Sequence, residues 1–290
     1  MFAIIGAAGN VGSSTARALR EAGAPVRAIL RDAARAGPLE AMGCEIALAD
    51  LKDPAALTRA IGNAEAVQVI APLSPATQDP ARELRQSIDS LVAALDRARI
   101  PRVLAISDYG AHIARDIGMP TLFHGFEARL RELDAQLLIL RSAEHMHNWA
   151  RSIPAALASG TLATFQDPVD MVQPTIAAQD LGRIAAHLLL RPGDDRAIVH
   201  AEGPRRYSAV DVATALSQLS GRAVSARAVP RAQWQEAFAR IMPASLADLL
   251  IKANDAKNEG GLVDIGSDSG EVRRGPTALI DALRPLLPPE

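Results

Sequence analysis

The chain of 290 residues carries one cysteine, Cys44, which excludes an intrachain disulfide and fits a reducing cytoplasm. Cys44 stands in the strand-like run Cys44-Glu-Ile-Ala-Leu-Ala49, where a buried, inert thiol is expected. Aromatic residues make up only 3%, so the core must be built mostly from Ala, Leu, Ile and Val. A net charge of −2 leaves no strongly basic footprint for nucleic acid, and the pairs Arg205-Arg206 and Arg273-Arg274 read as solvated surface charges. No apolar run approaches the ~20 residues of a membrane span. The N-terminus lacks a basic segment and does not read as a signal peptide. With 49% apolar and 22% charged residues, a globular cytoplasmic protein of one large or two smaller domains is expected.

What the chain does have begins at once. A short apolar run, Phe2-Ala-Ile-Ile5, breaks into Gly6-Ala-Ala-Gly9-Asn-Val-Gly12, and a helical stretch follows. Gly6 permits a sharp turn off a strand, Gly9 leaves the backbone open to a pyrophosphate, and Gly12 lets the helix pack closely on the sheet. The helix N-terminus offers free N–H groups and partial positive charge to phosphates. The spacing is G-x-x-G-x-x-G rather than the G-x-G-x-x-G of the dinucleotide fingerprint, so the context carries the inference. That context is a βαβ unit, closed by the strand Val26-Arg-Ala-Ile-Leu30.

The first half alternates strand and helix throughout. Strands read at 2–5, 26–30, 44–48, 66–70, 102–106 and 136–140, with helices at about 10–22, 33–42, 53–61, 81–98 and 122–133. Short apolar strands such as Ala66-Val-Gln-Val-Ile70 fit a parallel sheet covered on both faces, hence an α/β doubly wound fold. Ligands of such sheets sit beyond the C-terminal strand ends. Arg31 ends the second strand and is suited to the 2′-phosphate of NADP, while Asp32 keeps an NAD-type contact open. NADP(H) is preferred and NAD(H) is the alternative. Asp50 and Leu51 end the third strand, where Asp50 could reach adenine or cap the next helix. Ala71, Pro72 and Leu73 form an apolar wall after the fourth strand, and Ser107 ends the fifth. With Gly6, Ala8, Gly9, Asn10, Val11 and Gly12, these are the expected cofactor contacts.

From Trp149 onward the alternation weakens. Strands read at 161–165 and 197–201, and helices at 178–190, 208–218, 231–241 and 244–254. Trp234, Phe238 and Ile241 fall at helical spacing as a core-facing stripe. Residues 1–150 are expected to bind the nucleotide, with the helix near 178–190 packing back on them. Residues 151–290 would form a smaller α+β substrate or lid domain.

Several segments together resemble the NmrA-like, atypical short-chain dehydrogenase/reductase group. They are the glycine turn, Val26-Arg-Ala-Ile-Leu-Arg31, Leu48-Ala-Asp50-Leu, Ile139-Leu-Arg141 with Asn148, Gln179-Asp180-Leu-Gly, Tyr207-Ser-Ala-Val-Asp and Arg274-Gly-Pro-Thr277. The chain is similar over its whole length to the bacterial NAD(P)H:quinone oxidoreductases and triphenylmethane reductases of that group. The resemblance implies a Rossmann domain carrying NADP, Arg31 on the 2′-phosphate, and a cleft facing a small C-terminal domain. Some members of the group act as NADP-responsive regulators.

Hydride transfer needs an acceptor beside the nicotinamide and often a proton donor. The Tyr-x-x-x-Lys dyad of the wider superfamily is missing, since Ile113 and Asp211 stand four residues after Tyr109 and Tyr207. Tyr109 and His124 are the candidate catalytic groups, with a structural role for His124 the alternative. His124 and Glu127 would share a helix face. Tyr109, His145, His147 and Asn148 are expected to line the substrate pocket. No third ligand with recognisable spacing accompanies the two histidines, so a metal site is not expected. The expected function is NAD(P)H-dependent reduction of a quinone-like or other small electrophile. The alternative is a catalytically weak redox sensor acting through a protein partner, and nucleotide-sugar chemistry ranks last. A homodimer is an open option.

Overall fold

A computed structural model describes residues 1–71, 78–191, 196–260, 263–265 and 270–288. The first half is the expected alternation: β1 (Phe2–Ile5), α1 (Asn10–Glu21), β2 (Val26–Leu30), α2 (Gly37–Ala41), β3 (Glu45–Leu48), α3 (Pro54–Ile61), β4 (Ala66–Ile70), α4 (Pro80–Ala98), β5 (Arg102–Asp108), α5 (Met119–Leu130) and β6 (Gln136–Ser142). The second half adds β7 (Glu144–His145), α6 (Ile153–Ser159), β8 (Thr161–Thr164), β9 (Thr175–Ile176), α7 (Ala178–Leu190) and β10 (Arg196–Glu202). It closes with α8 (Ala209–Ser220), β11 (Ser225–Ala228), α9 (Trp234–Ala239), α10 (Ala244–Asn258), β12 (Glu271–Arg274) and α11 (Leu279–Leu283).

Eight strands form one parallel sheet in the order β12-β10-β6-β5-β4-β1-β2-β3. Side chains alternate across it, as strand geometry requires. Phe2 and Ile4 face α1 and α7, with Leu19, Leu181 and Ala185. Ala3 and Ile5 face the other way, toward Leu57, Leu91, Leu95 and Phe126 of α3, α4 and α5. The core is almost wholly aliphatic, as the scarcity of aromatics requires. The chain reverses its direction of winding between β1 and β4, and that opens a crevice at their C-terminal ends.

The sheet draws on both halves of the chain. β10 pairs with β6, Ile198 opposite Ile139, and β12 adds outside it. The crossover between β6 and β10 ends in α7, which packs on α1 through Gly182. A Cβ there would lie 2.5 Å from Ser14 Cβ and 2.8 Å from Thr15 N. Buried Asp180 on α7 accepts the Thr277 N–H at 2.8 Å, so two of the resembling segments meet in a structural joint.

A second lobe pairs β8 with β11 under α6, α8 and α11, around Leu162, Val212, Leu216 and Leu283. A capping box between Ser208 and Asp211 starts α8. Trp234 and Phe238 are buried against Phe165, but Ile241 is 69% exposed. The expected stripe fails at its last member because α9 stops at Ala239.

Candidate active site

The glycine turn has the geometry a pyrophosphate needs. Gly6 adopts φ +76°, and a Cβ there would lie 2.6 Å from the Ile70 side chain. A Cβ on Gly12 would fall 2.4 Å from the Gly6 carbonyl oxygen, so only glycine lets α1 sit this close to the turn. The first intrahelical bond runs from Ser13 N to Gly9 O, which leaves the N–H groups of Asn10, Val11 and Gly12 ahead of it. No acidic residue stands in this first turn to oppose an anion. The Val11 side chain is buried in the core, so Val11 has only its backbone to offer a ligand. These features fit a dinucleotide.

Beyond β2, Arg31 is exposed, and among the described residues no side chain holds its guanidinium. Asp32 accepts the Ala34 N–H at 2.9 Å through Oδ1 and caps the short helix that follows. Arg35, which sequence reasoning passed over, reaches back to the Ala8 carbonyl at 2.6 Å. Two guanidinium groups therefore flank this end of the crevice. Asp50 accepts from Lys52 N at 2.9 Å, while Asp53 caps α3, so the cap expected of Asp50 belongs three residues later. Leu51 is half-buried against the core beside it. Pro72 and Leu73 lie outside the described residues.

A cavity of about 420 Å³ opens where β4, β5 and β6 end. Its walls include Ile70, Ala71, Ile106, Met119, Phe123, Met171, Val172 and Leu250. Of the expected pocket residues, Tyr109, His145 and Asn148 line it together with Ser107, whereas His147 is not among its lining residues, nor is the catalytic candidate His124. The His147 ring instead lies 5.1 Å from that of His145. The His124 Nδ1 faces the Ala111 carbonyl at 2.8 Å; a carbonyl only accepts, so this nitrogen carries the proton. Phe123, its neighbour on α5, takes the cavity position instead.

Most polar groups around the cavity are held by partners. The Ser107 hydroxyl donates to Glu127 at 2.7 Å, and Arg141 binds the same carboxylate through two hydrogen bonds of 2.9 and 2.8 Å. Burial alone would raise the Glu127 pKa; Arg141, Ser107 and Arg131 outweigh it and hold the carboxyl below its ordinary range. The Tyr109 hydroxyl donates to Glu202 at 2.9 Å, and Arg206 and Arg274 bind the same buried carboxylate. Burial and the Glu202 charge push the phenol pKa upward, so the Tyr109 proton is held within this network. Arg206 also binds Asp264 through two hydrogen bonds, which makes Arg206 structural rather than simply solvated. His145 Nε2 lies 3.1 Å from the Ser142 hydroxyl, and burial followed by the neighbouring His147 lowers its pKa to about 4.

Ionisable groups missed by sequence reasoning as site members also line the cavity: Asp108, Glu144 and Lys257, besides Arg206 and Asp264. Lys257 on α10 reaches Glu144 at 2.5 Å across 113 residues of sequence, a contact no local spacing could announce. The Asn148 amide also bonds Glu144. Gln173 Nε2 is buried at the cavity wall with no partner among the described residues, which leaves a donor for a bound acceptor atom. Among the described residues no cluster of His, Cys, Asp or Glu could hold a metal ion, and no helix is long and apolar enough to cross a membrane.

A doubly wound sheet, a phosphate-ready glycine turn at its switch point and a cavity beyond the strand ends define a dinucleotide-binding protein of the Rossmann class. The family model described as NAD(P)H-binding matches residues 6–192, and the chain belongs to that family. It is 28% identical over 252 residues to the NAD(P)H azoreductase of Xenophilus azovorans, covering 86% of this chain and 85% of that protein. Its fold is similar to the NADPH-dependent quinone oxidoreductase of Escherichia coli solved with NADPH, at TM-score 0.77 and 24% identity over 90% of each chain. It is also similar to the triphenylmethane reductase of Citrobacter sp. solved with NADP(H), at TM-score 0.81 and 18% identity over 99% of this chain and 100% of that one.

Proposed function

We propose that this chain is an NAD(P)H-dependent oxidoreductase that reduces a quinone-like or other small electrophilic acceptor, with NADP(H) preferred. The observation that carries the reading is the cavity of about 420 Å³, apolar on its walls and placed beyond the glycine turn at the strand ends. A regulator that only senses its nucleotide needs no such room beside it, and this favours the enzyme over the sensor. The azoreductase and quinone oxidoreductase activities of its relatives agree with it.

When bound, NADPH supplies the hydride. The first-turn N–H groups of α1 hold the pyrophosphate, and Arg31 with Arg35 holds the 2′-phosphate. Met119, Phe123 and Met171 enclose a flat acceptor and exclude water, while Gln173 Nε2 donates to one of its polar atoms. Ser107, fixed by Glu127, gives the floor its shape. Residues 1–150 hold the nucleotide, and they enclose the substrate together with residues 151–290, in a cytoplasmic setting that suits the single buried thiol.

Calorimetry and turnover test this together. Arg31→Ala should weaken NADPH binding by about 10- to 100-fold, the size of one exposed charge-assisted contact of roughly 1.5–3 kcal/mol, and leave NADH binding unchanged. NADPH should be oxidised with members of a quinone, azo and aldehyde panel. Unchanged NADPH affinity in the variant would overturn the assignment of Arg31. Binding without oxidation of NADPH by any acceptor would overturn the enzyme.

A further inference from the structure

Reduction by hydride leaves a negative charge on the acceptor, and with Tyr109 and His124 tied elsewhere a donor must come from another group. Asp108 stands at the last position of β5 and lines the cavity. The Tyr109 backbone N–H next to it donates to the Ser142 carbonyl at 3.2 Å, and among the described residues no side chain is hydrogen-bonded to the Asp108 carboxyl. This sets it apart from Ser107, Tyr109, His145, Glu144, Lys257 and Arg206 around it, each of which is held by a partner.

We propose that Asp108 is the proton donor of the reaction and that the Lys257–Glu144 ion pair beside it is a positioning device that sets when it is protonated. This rests on the reductase reading above. The acceptor C=O, C=N or N=N takes the hydride at one atom while its π pair moves to the other. The Asp108 O–H bond breaks, the proton bonds to that second atom, and the carboxylate left behind is reprotonated from solvent.

The charges facing Asp108 come from three elements: Lys257 on α10, Glu144 on β7 and Glu127 on α5. Burial raises its pKa most, Lys257 pulls it down, and Glu144 and then Glu127 push it up, to a value of about 7. An acid poised there is half-protonated at neutral pH and can still release its proton. Lys257 and Glu144 hold each other charged, the lysine pKa raised and the carboxylate pKa lowered by their contact, so the pair acts as a fixed dipole beside Asp108.

The test is the pH dependence of steady-state turnover with NADPH and an azo or carbonyl acceptor. The parent rate should fall about tenfold per pH unit above about 7, because only protonated Asp108 is active. Asp108→Asn should lower kcat about 100-fold or more, abolish that limb, and leave the calorimetric Kd for NADPH within about twofold of the parent. Lys257→Met should move the limb to higher pH and Glu144→Gln to lower pH, opposite shifts that a merely structural pair would not produce. A working parent whose limb survives in Asp108→Asn, or shifts the same way in both pair variants, overturns the inference alone. A parent that binds NADPH and never oxidises it overturns the reductase reading and this inference with it.

Discussion

Replacing Arg141 by methionine tests whether the buried ion pair beneath the cavity holds α5 to the sheet. Arg141 and Glu127 are 2% and 1% exposed, and the guanidinium gives the carboxylate two of its four hydrogen bonds. Methionine keeps the apolar length of the side chain and removes only the charge and its donors. Removing one partner of a buried pair costs about 3–5 kcal/mol, because the other charge stays buried without it. Ser107 and Arg131 still reach Glu127, so the low end applies, about 3 kcal/mol. For a chain of this length that corresponds to about 5 °C in Tm. The assay is calorimetric or urea unfolding at pH 7 and again near pH 4. The folded-state pKa of Glu127 is depressed, so its contribution is present above its ordinary value and is lost as pH falls through the lower folded value. The difference between parent and variant should therefore shrink on acidification. A loss below about 1 °C at pH 7, or one that does not shrink in acid, would refute this reasoning. The double variant with Glu127→Met should recover much of the loss, since well-packed apolar pairs often equal buried ion pairs.

Tyr109→Phe should leave kcat within about twofold and lower stability by about 1 kcal/mol, the net worth of one hydrogen bond, because Arg206 and Arg274 still hold Glu202. A hundredfold loss of kcat with intact folding would return the proton to the tyrosine. His145, depressed from 6.5 to about 4 in the fold, should cost stability as pH falls from 6.5 toward 4, and His145→Asn should flatten that slope in urea midpoints. An unchanged slope would place the acid sensitivity elsewhere.

Strands β1, β2, β4, β5 and β6 were legible because each is a short, largely buried apolar run, and β3 because helix punctuation on either side isolates it. β12 was not, since Glu271-Val-Arg-Arg274 is an edge strand whose ends are exposed and whose charges mask any alternation. β10 was recognised as a strand, but the lobe inserted between it and β6 hid its place in the sheet. At the site, the glycine turn was legible because its geometry depends on neighbours in sequence. Arg35 escaped because its partner, the Ala8 carbonyl, lies 27 residues away. Lys257 escaped for the same reason on a larger scale.

Tyr109 and Asp108 make the limit concrete. They are adjacent, both line the cavity, and a search for a catalytic tyrosine after the fifth strand selects the first. Which of them can release a proton depends on partners neither residue announces. Glu202, on the distant β10, takes the phenol into a buried network with two arginines, and negative charge beside a phenol strengthens its hold on the proton. Lys257 and Glu144, also brought in from elsewhere, flank Asp108 with opposed charges that tune its protonation on top of the burial that raises its pKa. The absent Tyr–Lys dyad therefore does not leave the site without an acid. A lysine still tunes the donor here, but it arrives from α10 in the second half of the chain, so closing the cavity and setting the proton are consequences of the same packing.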